Sequence, residues 1–388
     1  MADLSEATTL DLSGEVIELL TEIELDPGLT ELTLMHCRLQ QIDSLLPLTR
    51  LEKLNLRANR IREIQGLQNC VHLRELELYE NQLTQLSGLD GLVRLELLDV
   101  SFNELTKIDG LRGLVALREL YLANNKIGAI EGLHGLPALR LLELGSNRLR
   151  AITQLDHLSS LEELHLGRNK LTALDGLREL AKLRVLGVAS NRLRSLAGVE
   201  ALRSLRELYA DHNGLESMAP LAPLTELHTL ELSHNRLQAV ACASLASLEE
   251  LWLNDNPVAE EAHLADLALL PRLQTLYLAG SPISKLPDYV RVVLGLAPPS
   301  LAQLDADLVS VHRQREQRAQ PRPAPPAAPL TETPLAETPL TDTPRVEAAV
   351  VPSVGQREGD TSAGEPQGEG TGEGTGASES GRAGLTAL

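Results

Sequence analysis

Aromatic residues are scarce in this chain: one Trp, five Tyr and one Phe stand among 388 residues. A core built around rings is therefore excluded, and leucine must supply most of the buried surface. Cysteine is nearly as rare. Cys37, Cys70 and Cys242 are too few and too widely spaced for a disulfide framework or a CxxC metal site. No apolar run reaches the roughly 18 residues that a membrane-spanning helix needs. The opening "MADLSEATTLDL" lacks the basic-then-apolar order of a secretory signal. These absences point to a reducing compartment, cytosol or nucleus. Positive charge is the minority sign: 35 Lys and Arg face 54 Asp and Glu, a net −19. Such an excess disfavours nucleic acid and anionic membrane as direct partners and favours a protein with a basic face. Phosphate-binding loops, HExxH and nucleophile motifs are missing too, so the sequence predicts no catalysis, cofactor or metal. His165, His212 and His234, near Asp211 and Asp255, read as scattered surface histidines rather than an acid–base or metal site.

What is present is a repeat. "LEKLNLRANRI" (51–61) recurs every 22 residues as far as "LHTLELSHNRL" (227–237). "LTELTLMHCRL" (29–39) precedes it, with Cys37 where the others have Asn. "LEELWLNDNPV" (248–258) follows after a step of 21, and "LQTLYLAGSPI" (273–283) closes the series with Ser281 in the Asn position. The twelve copies of LxxLxLxx[N/C]x[L/I] carry the leucine-rich-repeat signature. In each LxL segment alternation turns both leucines inward and the residue between them outward. The Asn can bond backbone groups where the chain leaves the strand, forming a ladder in which Cys and Ser serve more weakly. The expected fold is an α/β solenoid, a horseshoe with a concave parallel β-sheet. A unit this short leaves room on the convex side only for 3₁₀ or extended segments. The exception is "PVAEEAHLADLALLPRL" (257–273), longer than the other return strokes and predicted to hold one true α-helix.

Four regions follow. Residues 1–28 form an N-terminal cap, a degenerate first repeat or short helix. Residues 29–285 form the solenoid. Residues 286–312 form a C-terminal cap, a helix opened by Pro287 and then the strand-like "LAQLDADLV". Residues 313–388, rich in Pro, Gly, Thr and Glu, bury too little apolar surface to order and are expected to be a disordered tail. Thr333, Thr338 and Thr343 each precede proline there and are candidate phosphorylation sites. Seven Arg against eleven acidic residues leave −4 in the tail and −15 in the rest.

The few aromatics are not scattered. Tyr121, Tyr209, Trp252 and Tyr277 occupy the outward slot between the strand leucines, and Tyr79 and Phe102 lie just beyond it. Only Tyr289 falls elsewhere, in the cap. Glu77, Asp99, Glu143 and Glu231 fill the same slot in other repeats, with His165 among them. Glu75, Glu119, Glu163, Glu207 and Glu250 recur two residues earlier. Lys53, Arg57 and Arg168 are the few cations on this surface. Trp and Tyr interleaved with acids on a concave scaffold predict a protein-binding strip for a partner with a basic, convex face. The chain itself is expected to be a monomer.

The unit with "I..I.GL..L..L" on its return stroke resembles an intracellular class of leucine-rich repeats. Within that class, "LEELWLNDNPV" followed by "LQTLYLAGSPISKLPDYVRVVLGL" and "LAQLDADLV" resembles the C-terminal end of the leucine-rich-repeat regulatory subunit of protein phosphatase 1. The resemblance covers roughly residues 10–309. It implies a partner, the phosphatase catalytic subunit, and contacts through Asp99, Tyr121, Glu143, His165, Trp252 and Tyr277, with Glu250 beside the Trp. The family has an aromatic where this chain has His165, and the proline-rich tail is not a family feature. The same repeat class also serves cytoskeletal and axonemal assembly factors, so an adaptor of that kind is the alternative, whereas the −15 charge argues against an RNA-particle subunit like the shorter spliceosomal protein of the class.

Overall fold

A computed structural model describes residues 8–43 and 45–319. The tail from residue 320 on, with its three Thr-Pro sites, lies outside the described residues.

Each copy of the repeat contributes one three-residue strand. The strands are β1 Thr9–Asp11, β2 Glu31–Thr33, β3 Lys53–Asn55, β4 Glu75–Glu77, β5 Leu97–Asp99, β6 Glu119–Tyr121, β7 Leu141–Glu143 and β8 Glu163–His165. They continue as β9 Val185–Gly187, β10 Glu207–Tyr209, β11 Thr229–Glu231, β12 Glu250–Trp252 and β13 Thr275–Tyr277. A terminal hairpin adds β14 Gln303–Leu304 and β15 Asp307–Leu308. Together they make one 15-stranded sheet in chain order. All neighbours from β1 to β14 pair in parallel, and only β14 and β15 are antiparallel. The twelve expected strands are thus β2 to β13. β1 settles the N-terminal alternatives in favour of a degenerate first repeat, paired residue for residue with β2.

The core is a column of leucines. The middle residue of each strand from β2 to β13 is buried, and the second leucine of each LxL lies beneath the strand end, as Leu78 and Leu122 do at 0% exposure. The return strokes add Ile64, Leu67, Leu86, Leu89 and their equivalents. Cys70 and Cys242 are buried among them, and that burial pushes their thiols up to about 11 and about 12.

The asparagines stitch consecutive repeats. Asn125 donates from Nδ2 to the carbonyls of Val100 in the preceding repeat and Leu122 in its own, both at 3.0 Å. Its Oδ1 accepts from the Leu105 N–H at 3.0 Å, again in the preceding repeat. The same pattern recurs from Asn59 to Asn256. At the front, the Cys37 thiol takes up the donor role weakly, reaching the Leu12 and Met35 carbonyls at 3.2 and 3.3 Å. At the back the ladder departs from expectation. The Ser281 hydroxyl is buried without a partner among the described residues. Asp305 acts instead, its Oδ1 accepting from Leu278 and Ala279 N–H at 2.7 and 2.9 Å. A serine side chain is too short to bridge two repeats, whereas the aspartate in the β14–β15 turn reaches back.

The expected α-helix over 257–273 is instead a 3₁₀ helix, Glu261–Leu269. Its inward leucines explain the difference. Leu264, Leu267, Leu270 and Leu273 recur every three residues and all are buried, which matches three residues per turn and not 3.6. The C-terminal cap does hold a helix, α1 Tyr289–Leu296, packed on that 3₁₀ segment. It starts one residue after Asp288 rather than at Pro287. Tyr289 is buried, and its hydroxyl donates to Asp305 Oδ2 at 2.8 Å. A second helix, α2 Val309–Ala319, carries ordered chain past residue 312, the composition-based start of the tail. No proline or glycine interrupts that stretch, so nothing stops the helix there.

Candidate functional site

Alternation along each strand sends its first and third residues to the same sheet face and its middle leucine to the core. Two rows therefore cross the sheet. The first-position row runs Lys53, Glu75, Leu97, Glu119, Leu141, Glu163, Val185, Glu207, Thr229, Glu250, Thr275. The third-position row runs Asn55, Glu77, Asp99, Tyr121, Glu143, His165, Gly187, Tyr209, Glu231, Trp252, Tyr277. Strand neighbours stand about 4.8 Å apart, so each row sets its side chains next to one another, the third-position row interrupted at Gly187. Every acid and aromatic assigned to the binding strip in the sequence lies on this face or at its rim. The acids and aromatics of the two rows are half-buried, whereas Lys53, Phe102 and Arg168 are exposed.

The strip divides into three stations. At the N-terminal station Tyr79 and Phe102 pack with ring centroids 4.8 Å apart. Arg57 lies 4.5 Å above the Tyr79 ring, and its Nη1 reaches Glu77 Oε2 at 3.3 Å. Glu77 and Tyr79 are thus already matched by a cation of the chain itself. Sequence reading placed Arg57 on the face but missed this stack. The signal was available, since Arg57 and Tyr79 lie 22 residues apart in the same slot of adjacent repeats.

At the central station the Tyr121 hydroxyl donates to Glu119 Oε2 at 2.9 Å, and burial followed by that bond raises the phenol. Glu143 stands beside it in register. Burial raises its carboxyl above the ordinary range, while the Gly145 N–H and His165 pull the other way. His165 Nε2 lies 3.7 Å from the Glu163 carboxylate. Gly187 in the next strand leaves it room, since a Cβ there would meet the imidazole Nδ1 at 3.1 Å.

The C-terminal station is the most aromatic. Tyr209 repeats the Tyr121 arrangement, its hydroxyl donating to Glu207 Oε2 at 2.8 Å. Trp252 and Tyr277 stack with centroids 4.4 Å apart and planes 22° from parallel. Gln303 Nε2 donates to the Tyr277 hydroxyl at 2.6 Å and steadies the outer ring. Glu231 is Trp252's register partner on the other side. Its carboxyl is raised by burial, against the pull of the Ser233 hydrogen bonds.

The acids also serve the fold, which the sequence reading did not foresee. Asp99 accepts from the Ser101 N–H at 2.9 Å, Glu143 from Gly145 at 2.5 Å and Glu231 from Ser233 at 2.8 Å. Each closes the turn that leaves its strand, two residues on. His212 and His234 are not scattered: their rings pack with centroids 4.1 Å apart, and each meets an acid, His212 with Asp211 at 2.8 Å and His234 with Asp255 at 3.5 Å. Among the described residues no three His, Cys, Asp or Glu side chains converge as metal ligands. No helix among them is long and apolar enough to cross a membrane.

Comparisons with known proteins agree with this geometry. Two leucine-rich-repeat family models match, a leucine rich repeat over residues 49–105 and a two-copy model over residues 115–158. No curated protein matches the chain. Among solved structures, an internalin of Listeria monocytogenes is similar at 22% identity and TM-score 0.57, over 78% of this chain and 88% of that one. A leucine-rich-repeat protein of Leptospira interrogans is similar at 25% identity and TM-score 0.58, over 71% and 78%. The functional domain of InlJ, also from Listeria monocytogenes, is similar at 23% identity and TM-score 0.59, over 77% and 67%. Together with the unbroken parallel register of its strands, these matches give the chain its fold: a leucine-rich-repeat solenoid.

Proposed function

We propose that this chain is a non-catalytic scaffold whose sheet face holds a protein partner with a basic surface, and that the partner is the catalytic subunit of protein phosphatase 1. One observation carries the reading. At the C-terminal station a stacked Trp252–Tyr277 pair stands beside Glu231 and Glu250, half-exposed and without a Lys or Arg partner among the described residues. Stacked rings offer apolar area at little entropic cost, and the flanking carboxylates select a cationic surface. The identity of the partner rests on the resemblance of the Trp-bearing repeat and cap to the phosphatase regulatory subunit. Asp99, Tyr121, Glu143 and His165 continue the same row and extend the contact toward β5.

The test is titration of the full chain with the purified catalytic subunit, run beside thermal unfolding. Trp252→Ala is expected to weaken binding by about 2 kcal/mol or more, the usual hot-spot magnitude. Unfolding should shift by no more than the roughly 1 kcal/mol that an aromatic pair contributes. If the variant folds and binds the subunit as wild type does, the partner or the face is misassigned. The reading as a cytoskeletal or axonemal assembly adaptor then takes its place.

A further inference from the structure

We infer that the Trp252 station is an arginine receptor: it takes the guanidinium of one partner arginine between the Trp252 indole and the Glu231 carboxylate, with Glu250 alongside. The inference rests on the reading of this face as a protein-binding surface and names what the face recognises.

The chain displays the same recognition once within itself. At the N-terminal station Arg57 lies 4.5 Å over the Tyr79 ring while its Nη1 meets Glu77 at 3.3 Å. The slot that Arg57 occupies recurs in every repeat. Beside Glu231 and Trp252 it holds Ser233 and Asn254, both too short and uncharged to fill the place of a cation. The C-terminal station therefore also sets a ring beside a carboxylate, here on adjacent strands rather than along one, and has no arginine in the Arg57 slot.

Geometry sets where the missing group fits. Tyr277 covers one face of the indole at 4.4 Å with nearly parallel planes. Trp252 stands between Tyr277 and Glu231 in register, so its other face turns toward Glu231. Glu250, two residues earlier on the same strand, shares that face. The Ser233 N–H holds Glu231 Oε1 at 2.8 Å, which fixes the carboxylate beside the ring. Burial disfavours the Glu231 charge and Asp211 adds to the penalty, against the pull of Ser233 and His212, so a cation placed there favours the ionised carboxylate. A guanidinium suits this slot better than an ammonium. It is planar, stacks on a ring, gives hydrogen bonds at its edge and gives up less hydration.

The sole tryptophan makes the test site-specific, because emission at indole excitation reports on Trp252 alone. The full chain is titrated at constant ionic strength with acetyl-Gly-Arg-Gly-amide and with its lysine and citrulline counterparts. The expected result is saturable quenching by the arginine peptide, with the lysine and citrulline peptides at least about threefold weaker. Glu231→Gln, which keeps the acceptor for Ser233, is expected to weaken the arginine response by a similar factor. Equal responses to arginine and lysine, an unaffected Glu231→Gln variant, or no saturable response would each overturn the inference. Titration with the phosphatase subunit separates the two claims. If Trp252→Ala abolishes subunit binding while the arginine peptide leaves emission unchanged, the receptor is wrong and the partner stands. If the peptide binds and the subunit does not, the partner is wrong and the receptor stands.

Discussion

Gln154 has a backbone that belongs to glycine. Gly66, Gly88, Gly110, Gly132, Gly176 and Gly198 hold the equivalent return-stroke position with positive φ, and Gln154 holds it at φ 56°. A side chain in this left-handed region costs on the order of 1 kcal/mol or more. Gln154→Gly is therefore expected to raise the free energy of unfolding by about 0.5–1 kcal/mol, read from denaturant titration. Gly110→Ala should lower it by more than about 1 kcal/mol, since a Cβ at Gly110 would collide with the Leu86 carbonyl of the repeat before. These glycines were visible in the sequence as the recurring "GL" of the return stroke. A second set of left-handed residues was not. Ala58, Glu80, Phe102, Ser146, Arg168 and His234 all adopt φ between 54° and 58° just before a ladder asparagine. No common side chain marks them, because the following Asn imposes the turn through its own hydrogen bonds.

A strand of three residues has little stability by itself, and the asparagine ladder supplies what its length cannot. Asn125→Ala would leave the Leu105 N–H without its acceptor in a buried turn and take one donor each from the Val100 and Leu122 carbonyls, which Asn103 and Asn147 still serve. Each unsatisfied buried group costs about 1–3 kcal/mol. The variant is expected to lose about 2 kcal/mol or more, measured as a drop in the denaturant midpoint with an unchanged slope. Strands and ladder were legible because their period is exposed in the sequence and each leucine has one possible side to face. The return stroke over 261–269 was harder to read. Four leucines three residues apart satisfy a 3₁₀ helix, yet length and composition suggested an α-helix, and the spacing decided. The closing contact by Asp305 had no sequence signal, because it joins the β14–β15 turn to residues 26 and 27 positions earlier.

Across the whole described solenoid, acids on the sheet face couple binding and stability to pH in opposite directions. Glu143 and Glu231 are both raised by burial in the unbound chain. A raised carboxyl favours the protonated fold, so ionisation costs stability once the pH passes its folded value. Glu143→Gln, which retains an acceptor for Gly145, should melt higher than wild type at pH 7, and the gap should close as pH falls toward the ordinary glutamate range. A cationic partner reverses the preference, since it lowers both carboxyls on binding. Affinity should be full above the unbound values and weaken as the pH drops through them, a trend that calorimetric titration across pH 4–7 would detect. The face itself was legible from slot arithmetic alone, down to which aromatics share it. What those side chains do to one another was not. The bonds of Tyr121 and Tyr209 to the glutamates two residues before them, and the turn-closing work of Asp99, Glu143 and Glu231, depend on rotamers that a repeat pattern does not specify.

The ladder also has a direction. Each asparagine serves backbone groups in the repeat before it, never in the one after. A chain emerging from the ribosome amino end first thus completes each turn only when the next one arrives, and its newest repeat is always unfinished. Folding along such a polypeptide advances like a zip with its slider at the carboxyl end. The last stop is Asp305, which closes the β13 repeat without asking for another repeat to follow.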